Sequence, residues 1–154
     1  MSEEKVQAKP IANTGKIAVV LVRGMVGMTQ PIIDTLKMLR LNHKNYCAVV
    51  ENSPQMMGMI KKVKDYVAFG PISEDTFKEL VEKRGEIYQG RLQDGKAKYS
   101  YKTLELNGKH YKPYFRLNPP LKGFGRKGIK LAFKAGGALG NRGEKMNDLI
   151  KRML

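Results

Sequence analysis

The stretch that decides the fold is residues 16–70, KIAVVLVRGMVGMTQPIIDTLKMLRLNHKNYCAVVENSPQMMGMIKKVKDYVAFG. It contains three short apolar runs, at 17–22, 46–50 and 65–69, with the length and composition typical of strands. The first run, IAVVLV, is apolar at every position, which favours a central strand covered on both faces. Apolar residues at helical spacing separate the runs, so the predicted order is βαβαβ.

Both intervening helices begin with the same local signal, a capping residue followed by proline. In the first helix, Thr29 or Gln30 can act as the cap, and Pro31 lies in the first turn. In the second helix, Ser53 can act as the cap, and Pro54 follows it. Because each helix is expected to carry the chain back across the sheet, we predict a compact two-layer sandwich with both helices on one face.

A third helix and a small hairpin are predicted after residue 70. Acids at the start of segment 73–84 suit the positive end of a helix dipole, and apolar residues follow at helical spacing. The pair Asn107-Gly108 lies between alternating segments and predicts a type I′ hairpin turn.

The end of the chain is also predicted to be helical. Asn141 can cap this helix, with Glu144 at its third position as in a capping box. Apolar residues then recur at the spacing i, i+3, i+4, i+7, so the helix is expected to dock by one stripe. The stripe consists of Met146, Leu149, Ile150 and Met153.

These elements together predict an α+β fold. Residues 16–84 form a compact βαβαβ two-layer core with an added helix, and residues 85–112 form a variable, mostly irregular segment that contains the hairpin. Residues 113–154 form a basic, glycine-rich extension that ends in a helix. Residues 1–15 are predicted to be a flexible N-terminal arm.

Charge is divided unevenly along the chain. Residues 91–154 carry 16 Lys and Arg against 4 acids, and residues 1–90 carry 13 against 10, so the net charge of +15 is the sum of +12 and +3. A cationic half with so few carboxylates favours a polyanion, either nucleic acid or an acidic membrane, and RNA is the predicted partner. The longest strictly apolar run, 17–22, is far below the roughly 20 residues that span a bilayer, so no membrane crossing is predicted.

The strongest candidate binding segment is residues 119–143, PPLKGFGRKGIKLAFKAGGALGNRG, which contains no acid and is called the basic tract below. Glycine lets a backbone approach phosphates closely, and Phe124 could stack on an unpaired base. Alternation at 129, 131 and 133 favours a strand, whereas a solvated, disordered cationic loop is the alternative interpretation. The predicted phosphate-binding side chains are Lys122, Arg126, Lys127, Lys130 and Lys134.

Other kinds of site have little support in the sequence. Segment 123–128 matches GxGxxG, but Pro119 and Pro120 precede it where a dinucleotide site needs a buried strand. The single cysteine, Cys47, lies in an apolar run and is interpreted as buried, so neither a disulfide nor a metal site is expected. His43 and His110 lie far apart, with no evident catalytic set. No enzyme activity and no cofactor are predicted.

Two regions carry a family resemblance. The first lies within 17–70 and includes LVRGMVG, PIIDTLKMLRLNHKNYCAVVEN and GMIKKVKDYVAFG; the second is the C-terminal RLNPPLKGFGRKGIKLAFKAGGALGNRGEKMNDLIKRML. Together they resemble ribosomal protein L-thirty of the large subunit, in its archaeal and eukaryotic branch, of which the eukaryotic form is often called L-seven. The resemblance implies a core akin to half of a ferredoxin-like sandwich.

The resemblance also implies a function. It indicates a non-catalytic structural constituent of the large ribosomal subunit, cytoplasmic and monomeric within the ribosome, that binds 23S-type rRNA and takes no small-molecule substrate. Neighbouring ribosomal proteins are further candidate partners. Arg23 and Gly24 match the arginine-containing turn of the family, and Arg116 opens the second region. The residues that match the family's GG-x-x-GNR stretch are Gly136, Gly137, Gly140, Asn141 and Arg142.

Two other functions fit the same basic surface. An RNA-processing or regulatory enzyme could hold its substrate there, and would need clustered titratable groups in a cleft. A DNA-compacting protein would bind duplex DNA as well as it binds structured rRNA.

Overall fold

The computed structural model describes residues 15–154, so the predicted N-terminal arm lies, except for Gly15, outside the described residues. The predicted α+β class is confirmed within this range. The elements in chain order are β1 (Lys16–Leu21), α1 (Gln30–Met38), β2 (Tyr46–Glu51), α2 (Pro54–Lys62), β3 (Val67–Pro71), α3 (Glu74–Arg84), β4 (Leu104–Leu106), β5 (Lys109–Tyr111), β6 (Phe115–Arg116), a 3₁₀-helix (Phe133–Ala135), β7 (Gly140–Asn141) and α4 (Lys145–Met153).

The main sheet has the strand order β6-β2-β1-β3-β7. β1 is antiparallel to both β2 and β3, so these two outer strands run parallel to each other with β1 between them. The connection through α2 therefore crosses the sheet, as in a split βαβ unit. The connection through α1 does not, because β1 and β2 are adjacent antiparallel strands, and the end of β1 lies beside the start of β2, with Val20 opposite Cys47. The predicted crossover is confirmed for α2 and wrong for α1.

β1 is buried on both of its faces, as predicted. Ile17, Val19 and Leu21 belong to the cluster packed by α1 and α2, through residues such as Leu36 and Ile60. The alternate residues Ala18, Val20 and Val22 belong to the cluster packed by α3 and α4. The βαβαβ unit is thus the expected two-layer sandwich, and α3 and α4 add a third layer on the opposite face of the sheet.

The C-terminal extension is built into this sheet rather than appended to it. β6 pairs with the start of β2, where Phe115 is opposite Cys47, and β7 pairs in parallel with β3, where Asn141 is opposite Phe69. The extension therefore supplies both edge strands. The predicted stripe of α4 is fully buried, and it consists of Met146, Leu149, Ile150 and Met153.

The start of α4 differs from the prediction. Asn141 does not cap the helix, because it lies in β7, and its side-chain oxygen accepts a hydrogen bond from the Gly143 amide at 2.9 Å. Glu144 is the N-cap residue instead of the third helical residue, and it makes no side-chain cap bond. The Arg142 amide donates to the Phe69 carbonyl at 2.9 Å, so pairing with β3 replaces the local cap.

The predicted hairpin turn and the strand predicted in the basic tract had opposite outcomes. Asn107 and Gly108 join β4 and β5 with φ angles of 52° and 75°, which is the positive-φ pair of a type I′ turn, so the hairpin is confirmed. The strand expected from the alternation at 129–133 is wrong. The Leu131 carbonyl accepts bonds from the nearby Ala138 and Leu139 amides, because the glycine-rich chain folds back on itself there.

Candidate nucleic-acid interface

The basic tract has a defined backbone. The Lys127 amide donates to the Gly136 carbonyl at 3.1 Å, and the Gly137 amide donates to the Ala132 carbonyl at 2.9 Å. Phe124 and Ile129 pack against the buried cluster under α3 and α4. The tract is therefore a folded loop attached to the core, which differs from the disordered cationic loop considered as an alternative.

The five predicted phosphate-binding residues lie on the surface of this folded loop. All of them are exposed, and among the described residues none forms a salt bridge. Because the tract contains no acid, their charges are not neutralised locally, and the surface is suited to a chain of phosphates. These residues are Lys122, Arg126, Lys127, Lys130 and Lys134.

Arg142 occupies a different position from the other cations of the tract. It is only 5% exposed, and its guanidinium donates hydrogen bonds to the carbonyls of Phe124 and, at 3.4 Å, Ala138. Burial, the largest cause, lowers the pKa of Arg142, and the nearby positive charge of Arg152 lowers it further. Arg142 thus joins two parts of the tract, and in this conformation its charged group faces protein carbonyls.

Two glycines of the tract are required by the protein backbone itself. A Cβ on Gly137 would overlap the Leu131 carbonyl and lie 2.7 Å from the Leu131 side chain, and a Cβ on Gly125 would lie 2.5 Å from the Gly137 carbonyl oxygen. Gly137 is buried, whereas Gly136 is exposed with φ at 90°. Gly125 and Gly137 therefore allow two parts of the protein backbone to pack closely together. The sequence argument had assigned the tract's glycines to close approach of RNA phosphates.

Arg152 is a residue of this site that the sequence argument missed. Its guanidinium donates to the carbonyls of Leu121 at 2.9 Å and Gly123 at 2.7 Å, while Nε contacts Asp148 at 3.1 Å. The i, i+4 spacing of Asp148 and Arg152 signals the ion pair. Nothing in the spacing signals the two carbonyl contacts, which hold the start of the tract on α4.

Arg116 lies in β6 and is exposed, but its charge is paired. Glu86 forms ion pairs with Arg116 and with Lys112, the latter at 2.9 Å. The hydrogen bond from Lys112, followed by that from Arg116, lowers the pKa of Glu86. A phosphate that binds Arg116 would therefore compete with Glu86.

Arg23 and Gly24 lie in the turn after β1. The Arg23 guanidinium is 5.0 Å from the centroid of the Tyr66 ring and 3.4 Å from the Asp65 carbonyl, and Gly24 is exposed. Arg116 pairs with Tyr46 at the beginning of β2, which lies at the same end of the sheet. The register therefore brings the two arginines to one end of the sheet, with Arg23 adjacent to an aromatic face.

The described part of the chain offers little support for a membrane, metal or nucleophilic site. No helix there is long and apolar enough to cross a membrane. Nor does this part bring together three or more His, Cys, Asp or Glu side chains that could hold a metal ion. Burial raises the pKa of the Cys47 thiol to about 12, as expected of a packing residue rather than a nucleophile.

Comparison with known proteins identifies the family. The family model described as "Ribosomal protein L30p/L7e" matches residues 17–67. The protein named "Large ribosomal subunit protein uL30" of Nanoarchaeum equitans is 45% identical over 151 residues, which cover 89% of this chain and 97% of the relative. The protein of the same name from Methanopyrus kandleri is 38% identical over 149 residues, covering 86% of this chain and 100% of the relative. The chain therefore belongs to the ribosomal protein L30p/L7e family.

Proposed function

We propose that this chain is a structural constituent of the large ribosomal subunit and binds large-subunit, 23S-type rRNA through its basic tract. The observation that carries the proposal is a set of exposed cations that form no salt bridge with the other described residues, on a folded segment without acids. Family membership and the identity of the relatives as large-subunit ribosomal proteins support it. The corresponding location is the cytoplasm, where the protein is a monomer within the large subunit beside neighbouring ribosomal proteins.

Phosphate contacts from the tract would position the protein on the RNA. A side chain held by an ordered backbone loses less conformational freedom on binding than one on a disordered tail. Arg142 and Arg152 supply that order, because their hydrogen bonds to tract carbonyls fix the loop that carries the exposed lysines. Both arginines, together with Gly137, are therefore assigned positioning roles in RNA binding.

A second contact region lies at the end of the sheet where β1 ends. Gly24 leaves room for a close approach of RNA backbone, since nothing lies within 4 Å of a Cβ placed there. Arg23 and Arg116 supply charge at this end, and Asn141 is exposed in the edge strand β7. We assign these four residues, together with the exposed cations of the tract, to RNA contact.

The salt dependence of binding tests the electrostatic mechanism. If about six phosphates are neutralised, affinity for an archaeal large-subunit rRNA transcript falls roughly a thousandfold between about 50 and 200 mM salt. Filter binding across this range measures the slope of log affinity against log salt concentration. A flat dependence contradicts the proposal.

A charge-matched pair of triple variants locates the site. Arg126→Ala/Lys127→Ala/Lys130→Ala is expected to weaken binding to every RNA tested and to reduce the salt slope. The control, Lys61→Ala/Lys62→Ala/Lys64→Ala, removes the same charge from exposed positions in and after α2, on the other face of the sheet. Equal losses in the two variants would show that only net charge matters.

Sedimentation distinguishes the proposal from a DNA-compacting protein. Co-sedimentation with large ribosomal subunits in high salt is expected, together with weaker binding to duplex DNA than to structured rRNA. The enzyme alternative receives no specific support from the described residues. The acids with shifted pKa values there, Glu79 and Glu86, both have lowered pKa values because lysines donate hydrogen bonds to them.

A further inference from the structure

Residues 91–102, RLQDGKAKYSYK, form a second cationic projection outside the basic tract, called the tyrosine arm below. Its two sides are joined by hydrogen bonds from the Asp94 amide to the Tyr99 carbonyl at 2.9 Å and from the Tyr101 amide to the Leu92 carbonyl at 3.0 Å. A turn closed by the Ala97 amide and the Asp94 carbonyl, at 2.8 Å, forms the tip. The arm is a small hairpin, and every residue from 91 to 102 is exposed.

The arm is fixed to the body of the protein at its base. The Tyr88 amide donates to the His110 carbonyl and the Lys112 amide donates to the Glu86 carbonyl, both at 2.8 Å, so segment 86–88 pairs with β5. The Tyr88 hydroxyl then donates to the Arg91 carbonyl at 3.1 Å. The side chains of the arm are therefore presented from an anchored hairpin.

Two tyrosine residues of this hairpin are largely exposed to solvent. Tyr99 is 67% exposed and Tyr101 is 54% exposed. Side chains two residues apart in an extended segment lie on the same face, so both rings are offered to the same side. Largely exposed aromatic side chains are typical of surfaces that bind a planar partner.

The arm that carries these rings is rich in cations. The arm carries four cations against one acid, Asp94, whose carboxylate already accepts a hydrogen bond from the Gly95 amide at 2.7 Å. The Lys98 ammonium lies 5.7 Å from the centroid of the Tyr99 ring. Among the described residues, none of the four cations forms a salt bridge. They are Arg91, Lys96, Lys98 and Lys102.

We propose that the tyrosine arm is a further RNA-binding site, at which Tyr99 and Tyr101 stack on unpaired bases while the adjacent cations neutralise flanking phosphates. This proposal rests on the proposed function and extends it to a distinct type of contact. Stacking requires exposed base faces, which single-stranded loops and bulges offer and paired helices do not. A protein partner fits less well, because lysine is depleted from the centres of protein interfaces.

Paired variants of the full chain test the arm. Tyr99→Ala/Tyr101→Ala is expected to weaken binding to an archaeal large-subunit rRNA transcript, and to a single-stranded uridine oligomer, by about tenfold or more. Its salt slope stays unchanged because no charge is removed. Tyr99→Phe/Tyr101→Phe keeps both rings and is expected to bind like the parent protein. Unchanged thermal unfolding of both variants would confirm that the fold is retained.

The charged side chains of the arm provide an independent readout. Lys98→Ala/Lys102→Ala is expected to reduce the salt slope as well as the affinity, which separates phosphate contacts from stacking. A fully paired RNA duplex serves as the second probe. The tyrosine-to-alanine variant should bind this duplex like the parent protein, and an equal loss on duplex and single strand would overturn the stacking mechanism.

The outcomes separate this proposal from the proposed function. If the tyrosine-to-alanine variant binds the rRNA transcript like the parent protein while the tract triple variant loses affinity, the arm proposal is wrong and rRNA binding through the tract stands. If neither variant loses affinity, both are wrong. Loss of binding in the phenylalanine variant as well would overturn stacking as the mechanism, because the rings are still present.

Discussion

The guanidinium of Arg142 lies 4.9 Å from the centroid of the Phe133 ring, and the Lys145 ammonium lies 5.5 Å from the centroid of the same ring. Phe133 begins the 3₁₀-helix of the basic tract, and Lys145 begins α4. The Phe133 ring thus contacts both Arg142, which is buried beneath the tract, and Lys145, which lies just after the tract in sequence. Such cation–π contacts, with the carbonyl bonds of Arg142, tie the loop to the last helix.

Replacing Arg142 is expected to loosen the tract. In Arg142→Met, the carbonyls of Phe124 and Ala138 lose their guanidinium donor, which should lower the free energy of unfolding by about 1–3 kcal/mol. Urea denaturation measures this change. The control is Arg126→Met, which alters an exposed arginine of the same segment and should change stability by about 0.5 kcal/mol or less. Equal effects at the two positions would contradict the assigned role of Arg142.

Hydrogen exchange provides a local readout for the same variant. The Gly137 amide, bonded to the Ala132 carbonyl, should exchange faster in Arg142→Met than in the parent protein. Unchanged protection of this amide would mean that the loop keeps its conformation without Arg142.

Alanine substitutions at two glycines should have opposite effects on stability. Gly137→Ala places a methyl group against the Leu131 backbone and should lower the free energy of unfolding by about 2 kcal/mol or more. Gly58→Ala adds a methyl group in open space within α2 and should raise it by about 0.5–1 kcal/mol. Thermal or urea unfolding measures both. A neutral Gly137→Ala would show that the backbone can move apart there at little cost.

The parts of the fold that could be predicted are those encoded by neighbouring residues. The unbroken apolar run of β1 indicates burial on both faces, and Asn107-Gly108 favours a turn with positive φ angles, so both features followed from local chemistry. The antiparallel pairing of β1 with β2 could not be predicted in this way, because hydrophobic periodicity carries no information about strand direction. Asn141 shows the same limit, since its pairing with Phe69 depends on a residue remote in sequence.

The candidate site was predictable as a segment but not residue by residue. Counting charges identified the basic tract, because a long stretch without acids can be read directly from the sequence. Counting charges cannot separate exposed Lys130 from buried Arg142, since that difference arises from how the tract folds over Phe124 and Phe133. Arg152 was missed for a related reason, because its carbonyl partners lie in a distant loop.

The buried thiol of Cys47 predicts a specific alkaline response. Burial raises its pKa from 9.0 to about 12, so the thiol ionises in the unfolded chain at a lower pH than in the folded protein. Its contribution to stability is complete below the unfolded pKa and is lost as pH rises towards the folded pKa. Cys47→Ala should therefore lose less stability than the parent protein over this interval, in urea denaturation at a series of pH values. Identical pH dependence would contradict the raised pKa.

Glu86 predicts a response to acid of the opposite sign. Its pKa lies below the ordinary 4.5 because Lys112, and then Arg116, donate hydrogen bonds to the carboxylate. The stabilisation is present above the unfolded pKa and is lost as pH falls through the folded pKa. Glu86→Gln should thus show a shallower loss of stability below about pH 4.5 than the parent protein, in urea denaturation. If Glu86→Gln lost stability at low pH as steeply as the parent protein, the ion pairs of Glu86 with Lys112 and Arg116 would contribute nothing to folding.

The ion pair between Glu86 and Arg116 predicts that Lys130 and Arg116, which are both exposed, differ in how they affect RNA binding. Lys130 has no salt bridge among the described residues, so Lys130→Ala should reduce the magnitude of the salt slope by roughly 0.7–0.9. Arg116→Ala should reduce it less, because Glu86 already offsets the charge of Arg116. In a Glu86→Gln background, Arg116→Ala should have the larger effect, and a double-mutant cycle measured by filter binding tests this coupling. Strict additivity of the Glu86 and Arg116 substitutions would show that the ion pair does not regulate the contact of Arg116 with RNA.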